Sequence, residues 1–228
     1  MLDSEQNGVS KWTQVQRCFE AGECFDISPL VTSRLGVFPG DVPFRLNQEM
    51  GFNQGHHLEL HSIQTTLHIG AHADAPSHYH PDGVKMEKVK LMSYIGRCNV
   101  IDVSHCPRGH RIEPKDFDWN LISTSKILFK TGSFPDPNQW NSDFVALSPE
   151  LIFKLAAKNV DLVGIDTPSV DLEDCKNLYS HQALFATKMA VLEGLDLMGC
   201  PEGCYFLMAV PLKLGGAEAS PVRALLFK

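Results

Sequence analysis

The run from position 68 to 78 constrains this chain most: His68-Ile69-Gly70-Ala71-His72-Ala73-Asp74-Ala75-Pro76-Ser77-His78. It places three imidazoles and one carboxylate within eleven residues. Neutral imidazole and carboxylate are the donors that a borderline divalent ion such as zinc selects. All four donors stand at even positions, so in an extended segment they share one face. A fully extended path from His68 to His72 covers roughly 13 Å, whereas a zinc–nitrogen bond is only about 2.0–2.1 Å. The backbone must therefore curve for both rings to meet one ion. Gly70 permits the curve, and Pro76 keeps the segment from becoming a regular helix. A strand-like run precedes the cluster and Pro81-Asp82-Gly83 follows it. The expected setting is thus a loop rather than a buried element. The expected chemistry is a metal site that assists hydrolysis.

Seven of the ten histidines lie between positions 56 and 80, so some must be bystanders. His57-Leu58-Glu59-Leu60-His61 alternates polar and apolar, the pattern of a half-buried strand. His56, His57 and His61 are accordingly read as structural. His80 stands beside the Pro81-Asp82-Gly83 turn and is expected to serve it.

A length of 228 residues suits one domain, or at most two small ones. The division expected here is an extension over 1–22 and one folded unit over 23–228. Hydrophobic residues make up 43% of the chain, enough for a sizeable core. A formal charge of −7 without a basic run argues against nucleic acid and anionic membrane as partners. No stretch approaches the roughly 20 apolar residues of a membrane span. The start, Met1-Leu2-Asp3-Ser4-Glu5, lacks the basic and apolar regions of a signal peptide. Seven scattered cysteines suit a reducing compartment, so the expectation is a cytoplasmic protein. Cys200 and Cys204 have no second pair beside them and are read as incidental.

Strands are expected near 57–67, 98–104, 126–130, 160–166, 190–193, 204–212 and 221–227. Residues 30–45 carry Pro39-Gly40 and Pro43 and read as loop. A short helix is expected before Gly22. The helix best marked is 148–158, with Ser148 as cap and Pro149 in its first turn. A second covers 180–188, with Ser180 as cap. The fold class is α/β, sheet-rich and single-domain.

A catalytic metal site needs donors from elsewhere in the chain. His181 stands at the start of the second helix, where the helix dipole disfavours imidazolium and should keep the ring neutral. Glu193 ends the apolar run Ala190-Val191-Leu192, and a buried carboxylate there requires a partner. An exposed acid at a strand end explains Glu193 equally well on spacing alone. Asp166, Thr167 and Ser169 follow a strand and fit a self-bonded turn as readily as a site.

The sequence resembles the bacterial kynurenine formamidases (arylformamidases) of the cyclase-like metal-dependent hydrolases. That family carries a His-x-Gly-x-His-x-Asp-x-Pro-x-x-His motif, matched here by His68, Gly70, His72, Asp74, Pro76 and His78 with a small spacing difference. Phe25-Asp26-Ile27-Ser28-Pro29, Val37-Phe38-Pro39-Gly40-Asp41 and Val163-Gly164-Ile165-Asp166-Thr167-Pro168-Ser169 match further segments. So do Leu192-Glu193-Gly194-Leu195, with His181 twelve residues before the Glu, and Ala219-Ser220-Pro221-Val222-Arg223-Ala224. The similarity covers roughly residues 25–227. It implies a swivelling β/β/α cyclase-like fold, a homodimer and two zinc ions per subunit. His68, His72 and Asp74 would hold one ion, Asp74 would bridge to a second bound by His181, and Glu193 would touch both. His78 would donate and accept the proton. The implied reaction is hydrolysis of N-formyl-L-kynurenine to L-kynurenine and formate by a metal-bound hydroxide.

Two departures stand out. Phe38 occupies a position where the family commonly has a pocket-lining Trp, so an aromatic face remains but the indole N–H is lost. Some twenty residues extend the N-terminus. Three alternatives stay open: manganese or another divalent ion in place of zinc, an isatin-type lactam or other amide as substrate, and a non-catalytic metal-binding protein. A structural zinc site would be closed and often cysteine-rich, which the His and carboxylate set is not.

Overall fold

Three short apolar runs set the centre of the fold: Ile127-Leu128-Phe129, Leu162-Val163-Gly164-Ile165 and Ala190-Val191-Leu192. Runs this short, rich in branched residues and buried throughout, are what parallel strands covered on both faces look like. The computed structural model describes residues 24–228. Its strands are β1 (Cys24–Asp26), β2 (Arg45–Met50), β3 (Leu60–Gln64), β4 (His72–Asp74), β5 (Ile95–Asp102), β6 (Arg111–Ile112) and β7 (Lys126–Lys130). They continue with β8 (Ala146–Leu147), β9 (Leu162–Ile165), β10 (Ala190–Glu193), β11 (Gly203–Met208), β12 (Ala219–Pro221) and β13 (Leu225–Phe227). The α-helices are α1 (Pro149–Ala157) and α2 (Tyr179–Thr187). The helix expected before Gly22 and the extension over 1–22 lie outside the described residues.

A nine-stranded sheet runs in the order β1-β13-β11-β5-β7-β9-β10-β4-β12. Strands β5, β7, β9 and β10 are parallel to one another, and the strands flanking them on both sides pair antiparallel. The crossovers β7-α1-β9 and β9-α2-β10 place both helices on one face. There Leu151, Ile152, Leu155, Ala183 and Leu184 pack against Ile127, Phe129, Val163, Ile165 and Val191. Alternate residues of the same strands, Leu128, Leu162 and Leu192, join Ala71, Ala73, Ala75, Leu207 and Leu226 on the other face. The sheet curls into a half-barrel around that second cluster. The curl brings Ile27, just past edge strand β1, within 2.9 Å of Asp196, just past β10, as a backbone N–H to carbonyl bond. The fold is thus mixed α/β and sheet-rich, as the sequence leads one to expect.

Helix α1 forms as its sequence dictates. Ser148 Oγ accepts from the Leu151 N–H at 3.1 Å and Pro149 occupies the first turn. Other expectations need correction. The cluster is not in a loop: His72–Asp74 is strand β4, fully buried between β10 and β12. The alternation of His57 to His61 does not mark a half-buried strand. Among the described residues, strands β2 and β3 pair only with each other and no layer lies behind them, so Leu46, Leu60 and Ile63 are exposed. The single strand expected at 221–227 is two, β12 and β13, broken by Val222 to Ala224. Residues 204–212 hold a strand only as far as Met208.

Candidate active site

Strand β4 shows how a buried charged cluster is built from a mild sequence. Ala71, Ala73 and Ala75 face the apolar core while His72 and Asp74, one residue out of phase, face the other way. Glu193 is the register partner of His72 across β10 and β4. The three are 1–2% exposed. His72 Nε2 lies 3.1 Å from Glu193 Oε2 and 3.6 Å from Asp74 Oδ1. His68, ahead of the strand, brings Nδ1 to 3.0 Å from Asp74 Oδ1. The curve expected at Gly70 is present, with φ +55°.

His181 arrives from the first turn of α2. Its Nε2 is 3.5 Å from Asp74 Oδ2 and 3.5 Å from Glu193 Oε1. His78, in the 3-10 turn Pro76–His78, is 4.0 Å from Asp74 Oδ2. Each carboxylate therefore turns one oxygen toward His72 and the other toward His181. That is the disposition of carboxylates able to span two cations. All six residues anticipated from the sequence meet within this cluster. Two overlapping groups have ligand atoms within 4.8 Å of one another: His68, Asp74 and His78, and His72, Asp74 and Glu193. Cys200 and Cys204 join no such group among the described residues.

Ser180 does not cap α2. The residue before the helix, Leu178, sits in the left-handed region at φ 50° and offers no side-chain cap. Asp171 serves instead, accepting the backbone N–H groups of Ser180 and His181 at 3.1 Å. The same carboxylate lies 2.8 Å from His181 Nδ1 and 2.8 Å from Arg111 Nη2. Proton donation from Nδ1 to Asp171 leaves the Nε2 lone pair facing the cluster. His72 is held likewise, with Nδ1 2.9 Å from the Gly70 carbonyl oxygen. Sequence reasoning missed Asp171. No spacing in the sequence signals it, since it lies ten residues before the His181 that it holds.

Gly194 also escaped notice. It adopts φ +64°, and a Cβ there would lie 2.1 Å from the Gly70 carbonyl oxygen. Only glycine lets the chain leave β10 this close to the segment carrying His68 and His72.

Burial opposes charge in the cluster; at His72, His181, Asp74 and Glu193 opposite charges outweigh it, and at His78 they do not. Burial works against the His72 imidazolium, but Glu193 and Asp74 push its pKa up to about 9. Burial likewise works against His181, and Asp171, Asp74 and Glu193 raise it well above the usual value. The carboxylates thus work against the helix end, which favours the neutral ring. Three carboxylates within 3.5 Å outweigh the half charge of a helix terminus. Asp74 is held well below the carboxylate range despite burial, by His181 and His68. Glu193 is lowered too, against burial and Asp74, by His181 and His72. His78 is lowered, first by burial and then by His68 and His181, with Asp74 opposing.

Four buried ligand atoms make no hydrogen bond: His68 Nε2, His72 Nε2, Asp74 Oδ1 and Asp74 Oδ2. Buried polar atoms are almost always satisfied. A donor set of imidazole and carboxylate, with atoms of Asp74 and two histidines left over, fits a divalent metal. The cluster opens on a cavity of about 680 Å3, a size that suits a small molecule. Phe38 lines the cavity, edge-on to Trp140 with ring centroids 5.2 Å apart. Of the other histidines, His80 binds the Asp82 N–H and stacks on Phe185, as its turn setting suggested. Asp166 accepts from the Thr131 and Gly132 N–H groups of the loop after β7 rather than bonding its own turn, whereas Thr167 Oγ1 donates locally to the Ser169 carbonyl oxygen.

The family model described as putative cyclase matches residues 8–172. The chain belongs to the putative cyclase family. Among relatives of this cyclase-family chain, a kynurenine formamidase of Sphingopyxis alaskensis is 40% identical over 203 residues, covering 89% of this chain and 96% of the relative. A solved structure described as a potential metal-dependent hydrolase with cyclase activity is 26% identical, with TM-score 0.75 over 90% of this chain and 97% of the other. Isatin hydrolase A of Labrenzia aggregata shares the fold, at TM-score 0.78 and 22% identity over 95% of this chain and 98% of the other. This chain is a hydrolase enzyme that acts on a small molecule. No helix among its described residues is long and apolar enough to cross a membrane.

Proposed function

We propose that this cyclase is a metal-dependent arylformamidase that hydrolyses N-formyl-L-kynurenine to L-kynurenine and formate. One observation carries the reading: a buried cluster whose carboxylates each face two sets of imidazoles, in a chain 40% identical to a kynurenine formamidase. His68, His72, Asp74, His181 and Glu193 would hold the metal, which we expect to be two zinc ions per subunit. Manganese is the alternative the donor set allows. When bound, the ions supply Lewis acidity, easing deprotonation of water and polarising the formyl carbonyl.

The protein's own residues do the rest. His78 is the most exposed imidazole of the cluster, at 34% for its side chain, and it lines the cavity. Burial keeps its ring neutral at neutral pH, so it is free to take a proton. It passes that proton to the anilide nitrogen as the C–N bond breaks and a C–O bond replaces it. Without this proton the nitrogen is a poor leaving group. Phe38 offers a ring face to the aryl part of the substrate. The folded unit over 23–228 works as a homodimer in the cytoplasm, a state that light scattering checks by a mass of two chains.

The test is a substrate panel: N-formyl-L-kynurenine, formanilide and isatin, each with purified zinc-loaded enzyme. Release of L-kynurenine well ahead of isatin opening is expected. Opening of isatin without release of kynurenine would transfer the reading to a lactam hydrolase.

A further inference from the structure

We propose that Trp140 is the wall against which the substrate's aryl ring packs, and that Glu173 sets the angle of that wall. The proposal rests on the arylformamidase reading and adds the specificity residue to it. Trp140 lines the same cavity as His68, His72, His78, His181 and Glu193. Its indole Nε1–H donates to Glu173 Oε2 at 2.8 Å. The one polar atom of the ring is therefore spoken for, and the ring meets a ligand through its apolar surface.

The wall is braced on the other side as well. Phe134 and the buried Phe144 stand edge-on to the indole, with centroids 5.7 and 6.0 Å away. Phe38 meets it at 5.2 Å and 71°. A backbone bond from Gly36 N–H to the Pro137 carbonyl oxygen, 2.8 Å long, ties the segment carrying Phe38 to the one carrying Trp140. An aryl formamide bearing an acyl group has an electron-poor ring, and the electron-rich indole is its natural complement.

Glu173 matters because of its neighbours in sequence. Val170 donates its N–H to Glu193 Oε1 at 2.7 Å, and Asp171 lies 2.8 Å from His181 Nδ1. Residues 170–173 thus hold two candidate metal ligands and the aromatic wall at once. One short segment fixes the spacing between the reacting end of the cavity and the end that receives the ring. Glu173 is a positioning residue, acting through Trp140.

The experiment compares Trp140→Ala, Trp140→Phe, Glu173→Ala and Glu173→Gln in zinc-loaded enzyme. Trp140→Ala should raise KM for N-formyl-L-kynurenine about tenfold or more with metal content unchanged. Trp140→Phe keeps an aromatic face but loses the N–H that Glu173 holds, so its KM should rise about as far as in Glu173→Ala and less than in Trp140→Ala. Glu173→Ala should raise KM more than it lowers kcat, and Glu173→Gln, which keeps an oxygen acceptor, should restore it. Saturable quenching of tryptophan fluorescence by L-kynurenine should be lost in Trp140→Phe, although Trp12 and Trp119 remain. An unchanged KM in Trp140→Ala, or quenching that survives Trp140→Phe, would overturn the proposal. Wild-type enzyme that shows the quenching yet does not hydrolyse N-formyl-L-kynurenine would leave the wall standing and defeat the arylformamidase reading.

Discussion

Asp171 shows how much of a site can rest on a residue that holds no ligand itself. It satisfies two backbone N–H groups at the start of α2 and accepts the Nδ1 proton of His181. Removing its charge while keeping its shape should loosen His181 without unfolding the helix. Asp171→Asn is expected to weaken metal binding by roughly 10–100-fold, measured by competition with a chromogenic chelator. An unchanged affinity would mean that His181 is not a ligand. His78 is the residue whose role geometry alone leaves divided, because it groups with His68 and Asp74 as well as facing the cavity. His78→Ala should keep its metal and lose on the order of 10²–10⁴ in kcat, as a proton-transfer group does. Loss of metal instead would make His78 a ligand. At this scale the sequence spoke clearly for His68, His72 and Asp74, which fall in one motif. It spoke weakly for His181 and Glu193, which stood out as polar residues in odd places until the family resemblance, with its twelve-residue spacing, joined them to the motif. Asp171 was silent because its partner lies ten residues ahead, and no spacing rule links a helix to a carboxylate that caps it from a distance.

The elements divide by how local their causes are. Strands β7, β9 and β10 and helix α1 were legible because apolar runs and a Ser-Pro start act within a few residues. Ser148→Ala should cost about 1 kcal/mol in chemical denaturation and leave metal content unchanged. Strand β4 was not legible. Its alanines carry no β-forming bulk, and it becomes a strand because β10 and β12 pair with it on both sides. The β2-β3 hairpin misled in the opposite direction, since alternation alone cannot say whether a layer lies behind it. Gly194 joins β10 to the site by a conformation and a close approach that no other residue fits. Gly194→Ala should therefore destabilise by more than about 1 kcal/mol and also lower metal content, in contrast to Ser148→Ala. Equal metal content in both variants would show that the close approach at Gly70 does not shape the cluster.

Across the whole molecule, a sheet covered on both faces carries a charged cluster near the end of its parallel strands. Its two carboxylates, each at most 2% exposed, are balanced in the metal-free state by protonated imidazoles. A divalent ion bound there would take over that balance and would belong only to the folded chain. Ligand present at a thousand times its dissociation constant stabilises the fold by about 4 kcal/mol, or on the order of 10 °C in Tm for a chain of this size. The most direct test of the account titrates zinc into metal-free enzyme while following the release of L-kynurenine from N-formyl-L-kynurenine. The account predicts negligible turnover in chelator, and activity that rises with zinc and levels off only after the second equivalent per chain. Full turnover by the metal-free protein would contradict it.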